Sequence, residues 1–349
     1  MENYQVVEAA RLAVILVNWR NAADTIECLE TLLRSSIGVH AIVCDNASSD
    51  GSVEAIKQWA NGADGVSLGN PALSHLVASE LKRPIAFDHL PPGETLQGGP
   101  RLPLTILETG GNLGYAGGNN AGLRFALLNE DISHFWLLNN DTVVEPLTAQ
   151  AILSCFEKRP SLGILGAQLR LYDAPAKLQM QGALSFDKWT GRALGIGAGL
   201  SVPDALPAAE IERRADFICG ASMAVSRAFL EQVGLMEERY FLYYEEVDWA
   251  VRAKGRFELG YCPEAIVYHK EGASAGSSSK KDQRSALSDY HHTRSRLIFS
   301  WLHYPLLMPL YFGYGIALAG RRLVNRQFAK AAAILRASLG LKFKPVSGK

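Results

Sequence analysis

Charge of one sign is not in excess in this sequence: 35 basic residues face 35 acidic ones. A chain that binds a nucleic-acid backbone needs a clustered basic surplus, so no nucleic-acid partner is expected and any nucleotide it meets should be small. Cysteine is scarce as well. The five cysteines, Cys28, Cys44, Cys155, Cys219 and Cys262, are odd in number and scattered, with no C-x-x-C pair. That excludes a disulfide framework and a structural zinc site and fits a reducing compartment. Neither the dinucleotide pattern G-x-G-x-x-G nor the Walker pattern G-x-x-x-x-G-K-[ST] occurs. The first apolar run, Leu12 to Val17, is too short for a signal-peptide core or a membrane span and reads as a buried strand. Disorder is excluded too, because 48% of the 349 residues are hydrophobic, enough for a large core in one elaborated domain.

Strand-like and helix-like runs alternate through the first half, from Leu12–Val17 and Ala22–Leu33 to Ala41–Cys44 and Ser52–Trp59. The alternation predicts an α/β fold with a mostly parallel sheet, whose ligands gather at the carboxyl ends of the strands. Residues 61–103 are rich in Gly, Pro and Leu and lack periodicity, so they read as an insertion or long loop. The order resumes with a strand at Leu104–Glu108 and a Gly/Asn turn that opens a helix reaching about Leu128. A strand at Phe135–Leu138 then ends in Asn139-Asn140-Asp141.

Polar clusters follow these runs where chemistry would sit. They are Asp45-Asn46 with Asp50, the turn Asn112–Asn120, Asn140-Asp141, and Glu245-Glu246 with Asp248. A strand-end carboxylate can hold Mg²⁺ or Mn²⁺ bridging two phosphates, and Asp141 is the candidate; a plain turn or helix cap is the competing reading. The glycines of the turn would let the backbone approach a phosphate or sugar at a helix N-terminus, or would serve a strand-to-helix connection. Glu246 or Glu245 could take a proton from a hydroxyl, although acids also favour a helix N-terminus for its dipole. His269 ends a strand at Ala265–Tyr268 and could join a metal or contact a diphosphate.

A different chemistry is written further along. Gly272-Ala273-Ser274-Ala275-Gly276 matches the nucleophile-elbow pattern, with Asp282 or Asp289 and His291 or His292 in the order an α/β-hydrolase requires. Three classes therefore stand: a transferase, an esterase-like hydrolase using Ser274, and a non-catalytic nucleotide-sugar binding module. The transferase unites Asp45, Asp141 and Glu246, whereas the hydrolase leaves the strand-end acids idle.

The clusters, in this order, resemble the family 2 glycosyltransferases of the GT-A fold, most closely the bacterial rhamnosyltransferase-like branch, over most of residues 11–300. The matching segments are Val17–Asn21, Val43–Ser52, Asn112–Gly122, Leu137–Asp141, Phe217–Met223, Phe241–Trp249 and Tyr268-His269. The resemblance implies that Asp45 contacts a uracil or thymine ring and that Asn46 holds the nucleoside end of the donor. Asn18, Asn112, Gly117, Gly118, Asn119 and Asn140 then lie on the donor side. It further implies that Asp141 binds the divalent cation, within Asn-Asn-Asp and so without the family's first acid, and that His269 is a second ligand. Glu246 stands where the family has the second acid of a Glu-Asp motif, the catalytic base, with Glu245 or Asp248 as alternatives. Inversion by a single displacement follows from the same resemblance, as does an acceptor side lined by Phe217–Met223, with Trp189 or Trp249 stacking on sugar.

The implied partners are a nucleotide-diphosphate sugar, with dTDP-rhamnose or a UDP-hexose first, and a lipid-linked or polysaccharide acceptor. The division expected is a GT-A domain at 1–290 and a C-terminal helical appendage at 291–349. In the latter, the apolar segment Leu297–Gly320 lies between Arg294 and Arg296 on one side and Arg321 and Arg322 on the other. Its length would span a bilayer, but Pro305, Pro309 and the aromatics favour a broken helix pair in the membrane interface, or a buried hairpin closing the domain. A cytoplasmic protein, peripheral on the inner face of a bacterial membrane, is the expectation.

Overall fold

The computed structural model describes residues 11–62, 67–270 and 285–343. The chain begins β1 (Leu12–Asn18), α1 (Ala22–Leu32), β2 (His40–Asp45) and α2 (Ser52–Ala60), then β3 (Phe87–Leu90), β4 (Leu104–Glu108) and α3 (Gly114–Ala126). Next come β5 (His134–Leu138), β6 (Thr142–Val144), α4 (Thr148–Lys158), β7 (Leu162–Leu171), β8 (Ala174–Met180), β9 (Ala183–Asp187) and β10 (Arg192–Gly195). The remainder is α5 (Ala208–Arg214), β11 (Phe217–Ile218), β12 (Ser222–Ser226), α6 (Arg227–Val233), α7 (Glu245–Ala253), β13 (Glu258–His269), α8 (Ala286–His303), α9 (Met308–Val324) and α10 (Phe328–Ser338).

Among the described residues, ten strands form one sheet in the order β3-β4-β2-β1-β5-β12-β7-β13-β6, with β8 paired to β7. The half from β3 to β5 is parallel, and β12 enters antiparallel between β5 and β7. Strand β1 explains how the sheet is held. Its Leu12, Val14 and Leu16 pack with Cys28, Leu29 and Leu32 of α1, while Ala13 and Ile15 face Ala116, Leu123 and Ala126 of α3. Burial on both faces is why these strands read as unbroken apolar runs rather than alternating ones. Each fully buried Leu or Ile contributes roughly 1.5–3 kcal/mol.

Of the two readings of 61–103, an insertion or a long loop, the second needs correction among the described residues. The segment contains a 3₁₀ turn at Pro71–Val77 and the strand β3, which extends the sheet in parallel register with β4, Asp88 beside Thr105. A four-residue edge strand, Phe87-Asp88-His89-Leu90, buries only Leu90 fully, so it leaves no hydrophobic period to read. The apolar segment 297–320 is a broken helix pair. Pro305 and the non-helical Tyr304 before it (φ −141°) end α8, and one 3₁₀ turn leads into α9. Among the described residues no helix is long and apolar enough to cross a membrane. Helices α8, α9 and α10 pack on one another.

Candidate active site

Parallel register brings the residues expected on the donor side together. Asn18 and Asp45 are partners at the ends of β1 and β2, and Asn18 Nδ2 donates to Asp45 Oδ1 at 2.7 Å. The Ser48 amide donates to Asp45 Oδ2 at 2.8 Å. On the other side, Thr25 Oγ1 donates to Asn18 Oδ1 and Asn140 Nδ2 donates to Thr25 Oγ1, both at 2.9 Å. The side chains of Asp45, Asn18, Thr25 and Asn140 thus form one buried relay across the ends of β2, β1, α1 and β5. Each polar group answers another, which is the condition for burying them. Asn46 Nδ2 donates to the Gly114 carbonyl at 2.9 Å, tying this relay to the start of α3.

The glycines of the α3 turn are explained by packing. Gly114 has φ +71°, and a Cβ there would lie 2.1 Å from the Phe241 carbonyl oxygen, whose neighbouring contact is the Tyr115 amide donating to it at 2.9 Å. A Cβ on Gly118 would meet Val17 at 2.9 Å and Asn46 Nδ2 at 3.0 Å. One on Gly117 would crowd Leu113. Asn112 accepts from the Gly114 amide and is exposed. Asn119 Nδ2 donates to the Tyr115 carbonyl, and Asn120 Nδ2 to the Met236 carbonyl. This turn therefore fastens α3 to β1 and to the loop before α7.

Asp141 and His269 meet at the ends of β5 and β13. Antiparallel pairing of β13 with β6 sets His269 opposite Thr142, and His269 Nε2 lies 3.1 Å from Asp141 Oδ1. Gln179 Oε1 is 2.9 Å from the other ring nitrogen and orients it. Burial pushes the Asp141 carboxyl up, but the His269 charge and hydrogen bond, its own amide and Lys270 outweigh that and hold it below the usual range. Lys270 in turn binds Asp24 at 2.5 Å and Glu27 at 2.8 Å.

Glu246 sits on the first turn of α7. Two consecutive residues before the helix, Tyr243 and Tyr244, have φ of +69° and +78°, a left-handed conformation costing roughly 1–3 kcal/mol for each. Surrounding contacts sustain it: Tyr243 stacks on His292 at 3.8 Å, Phe241 on His291 at 4.7 Å, and Ser295 Oγ donates to the Leu242 carbonyl. Gly220 makes room for the carboxylate, since a Cβ there would lie 2.4 Å from Glu246 Oε1 and 2.9 Å from Tyr115 Oη. Burial pushes the Glu246 carboxyl up to about 7, against the opposing pull of its own amide and that of Gly220. Glu245 is buried at 1% exposure, and its Oε2 has no hydrogen bond among the described residues. Burial and the neighbouring Glu246 charge drive its pKa far up. Burial thus shifts both carboxyls of the pair toward the protonated form. The Asn139 amide donates to the Ala221 carbonyl, so the residue after Gly220 joins the Glu246 region to the strand end that carries Asp141.

Against this geometry the comparisons can be set. No family model matches the chain. The crystal structure of GalNAc-T7 with UDP, GalNAc and Mn²⁺ superposes with a TM-score of 0.52 at 12% identity, over 82% of this chain and 47% of that one. The fold is that of the GT-A glycosyltransferases. In sequence the chain is 25% identical over 167 residues to the low-salt glycan biosynthesis hexosyltransferase Agl10 of Haloferax volcanii, covering 47% of this chain and 51% of that protein. It is 28% identical over 265 residues to the N-acetylglucosaminyl-diphospho-decaprenol L-rhamnosyltransferase of Mycobacterium tuberculosis, over 70% of this chain and 81% of that one. The chain spans about half the length of the first of these relatives. Both bear out the resemblance to rhamnosyltransferase-like family 2 proteins.

Within the GT-A fold, the structure gathers Asn18, Asp45, Asn46, Asn140, Asp141 and His269 along one edge and brings Glu246 to it through Gly220. Asp248 is turned away. Its carboxylate accepts from Arg252 Nε at 2.8 Å and pairs with His303 Nε2 at 2.6 Å, because two residues along a helix rotate a side chain to the opposite face. Asp248 thereby fixes α7 to the end of α8. Removing it takes away the buried carboxylate that Arg252 and His303 both meet, and Asp248→Ala is expected to cost about 2–3 kcal/mol in urea denaturation. Trp249 is fully buried against Phe229 and donates to the Gly234 carbonyl, so it stacks on no sugar, whereas Trp189 is 60% exposed.

Ser274 and Asp282 of the hydrolase pattern lie outside the described residues. Of its later members, Asp289 pairs with Arg322 at 2.9 Å, and both histidines stack on the loop before α7. As a cation site, the Asp141 oxygen and His269 nitrogen converge and suit Mg²⁺ or Mn²⁺ in donor type. Among the described residues, the one group of three potential ligands within mutual reach is elsewhere, at Cys155, Cys262 and Glu264. Sequence reasoning missed Thr25 and Lys270, which act through position and carry no motif of their own, and the contact that Tyr115 makes with the Gly220 carbonyl.

Proposed function

We propose that the chain is an inverting, metal-dependent glycosyltransferase. In this reading it moves a sugar, L-rhamnose from dTDP-rhamnose in the first instance and otherwise a hexose from a UDP-sugar, to a hydroxyl of a lipid-linked or polysaccharide acceptor in cell-surface glycan synthesis. The observation that carries the reading is Glu246: a carboxylate tuned to about 7, seated at a strained helix start and joined through Gly220 to the strand end bearing Asp141. Strongly shifted acids in such positions mark proton transfer.

Asp45 and Asn46 would hold the nucleoside, with Asn18, Asn140 and the α3 turn shaping the rest of the donor side. Asp141 and His269 would hold the cation, which when bound supplies charge neutralisation for the departing diphosphate. Two protein ligands leave coordination to be completed by the donor's own phosphates. Glu246 takes the proton of the acceptor hydroxyl as its oxygen bonds to the anomeric carbon. The bond from that carbon to the diphosphate breaks on the opposite face and its electron pair leaves with the nucleoside diphosphate. A membrane-peripheral location is supported by the exposed Leu306, Leu310 and Phe312 of the C-terminal segment and by the diphospho-decaprenol named for the mycobacterial relative.

The test is nucleoside diphosphate release from dTDP-rhamnose, UDP-glucose, UDP-galactose and related donors, with Mn²⁺ or Mg²⁺ and membrane extract as acceptor source. One donor should turn over, and EDTA should abolish it. Asp141→Ala should lower turnover by about a hundredfold or more and raise the Mn²⁺ concentration needed for half-activity. Absence of turnover with every donor, while nucleotide still binds, would leave the non-catalytic binding module as the answer. Ester cleavage lost only in Ser274→Ala would instead establish the hydrolase.

A further inference from the structure

Two sulfurs meet away from the residues assembled above. Cys155 on α4 and Cys262 on β13 are 107 positions apart in the chain, yet their Sγ atoms lie 2.8 Å from one another. Packing of α4 on β13 brings them together. The strand is irregular at this point: Cys262 pairs with Ala167 and Ile266 with the next residue, Gln168, so Pro263, Glu264 and Ala265 bulge out of the ladder. Neither cysteine borders the cavity of ≈ 410 Å³ that Glu246 lines, and the glycosyltransferase reading uses neither.

The two thiols are unlike. Cys155 is half-buried and Cys262 fully buried. The hydrogen bond with Cys262 brings the Cys155 thiol below its ordinary value, against burial and the Glu264 charge, with Lys158 and Arg159 adding to it. Cys262 moves the opposite way, pushed far up by the Cys155 contact and by burial. An accessible sulfur that ionises first, backed by a buried one that keeps its proton, is the arrangement of an attacking and a resolving thiol. Cys28 and Cys44 are buried, and burial pushes their thiols up to about 12, which leaves them inert. Glu264 also lies near, its Oε2 3.7 Å from Cys262 Sγ, but the sulfurs are too close for a shared cation. Two thiolates on a tetrahedral zinc ion stand about 3.8 Å apart, given Zn–S of about 2.3 Å. At 2.8 Å the pair is nearer to a bond, which forms at about 2.05 Å.

We propose that Cys155 and Cys262 are an oxidisable dithiol, which a hydroperoxide converts to a disulfide stapling α4 to β13. The Cys155 thiolate attacks one peroxide oxygen. The sulfur–oxygen bond forms, the oxygen–oxygen bond breaks, and hydroxide leaves to take up the thiol proton as water. Cys262 then attacks the sulfenic acid on Cys155; the sulfur–sulfur bond forms and the hydroxyl departs with the Cys262 proton as a second water. Two thiols are oxidised and one peroxide is reduced. Without an oxidant the pair rests as the free thiols seen here.

The test treats the reduced full chain with hydrogen peroxide, blocks remaining thiols with iodoacetamide and digests the protein with trypsin. Cys155 falls in the peptide 125–158 and Cys262 in 257–270, and neither peptide holds another cysteine. The two should be found joined, about 2 Da below the sum of their reduced masses, and a reductant should part them. In Cys262→Ala, which lacks the resolving thiol, dimedone should label Cys155. Cys155→Ser should give neither the joined peptide nor a label on Cys262. Oxidised wild type should melt about 3–6 °C above the reduced protein, because the bond closes a long loop; Cys155→Ser should show no such difference. Circular dichroism checks that both variants fold, and the wild-type masses and melts decide the matter even where one does not.

The proposal is overturned if the two peptides stay separate, or if either cysteine is found joined to a different one. A dimedone label on Cys262 in Cys155→Ser overturns it by reversing the order of attack. A bond that leaves the melting temperature unchanged overturns the staple, because it has then formed outside the native packing of α4 on β13. Zn²⁺ that shields both thiols of the reduced protein from iodoacetamide, and ceases to do so in Glu264→Ala, would overturn the proposal by assigning the sulfurs to a cation. None of these outcomes touches nucleotide-sugar turnover, so the dithiol and the glycosyltransferase reading stand or fall separately.

Discussion

Glu246→Gln should lose about a thousandfold in kcat with donor affinity little changed, because it keeps the size of the side chain and removes the proton acceptor. The wild type should show kcat/KM climbing about tenfold per pH unit below pH 7 and levelling above it, since the base works only when deprotonated and its pKa is about 7. That limb should be absent from the residual activity of the variant, and a pH–rate profile from 5.5 to 9 reads both. Stability moves the other way. The folded chain holds the Glu246 proton up to about pH 7, while the unfolded chain releases it near 4.5. Folded protein therefore binds more protons between those values, and stability falls as pH rises through that window. At pH 8 the wild type carries the full cost of an ionised, crowded carboxylate, so Glu246→Gln should be the more stable protein by roughly 1–3 kcal/mol in urea. Full activity in Glu246→Gln would move the base to Glu245.

Gly114→Ala should cost about 3 kcal/mol of stability, and Gly111→Ala, three residues away in the same motif, almost nothing. A Cβ on Gly114 would sit 2.1 Å from the Phe241 carbonyl oxygen, at a φ of +71° that an L side chain rarely adopts. The obstacle is backbone, so it yields only if the loop from Tyr240 to Tyr244 moves. A Cβ on Gly111 would meet nothing within 4 Å. Thermal melts of the two variants separate the explanations of this glycine-rich turn: equal melting temperatures would mean that glycine serves a ligand rather than packing. Because the displaced loop carries Glu246, Gly114→Ala should also lose kcat, whereas Gly111→Ala should keep it.

The halves of the site differ in how far the sequence disclosed them. Asp45 stands directly after an apolar run and Asp141 two asparagines after another, and strand ends in a parallel sheet are where ligands bind, so local pattern alone nominated them. His269 was nominated in the same way, but its contact with Asp141 spans 128 positions of sequence and depends on β13 pairing with β6. The acidic run at 245–248 was visible as a group. Its division into Glu246 with a raised pKa beside Gly220, a buried neighbour and a structural anchor was not. Glu246 faces the cavity, Glu245 the interior, and Asp248 meets His303 from a helix 55 residues further on.

By itself, then, the sequence determined the α/β class, the strands at Leu12–Val17, Ala41–Cys44, Leu104–Glu108 and Phe135–Leu138, and the strand-end positions of Asn18, Asp45, Asn140 and Asp141. Hydrophobic periodicity and turn chemistry are properties of neighbouring residues, and these features follow from them. Tertiary structure alone decided that β3 joins the sheet, that Gly114 and Gly118 are close-approach positions, that α8 sustains two left-handed tyrosines, and that Glu246 carries a proton near neutral pH. Each of these depends on what a distant segment places against the residue, and on how much water that contact removes.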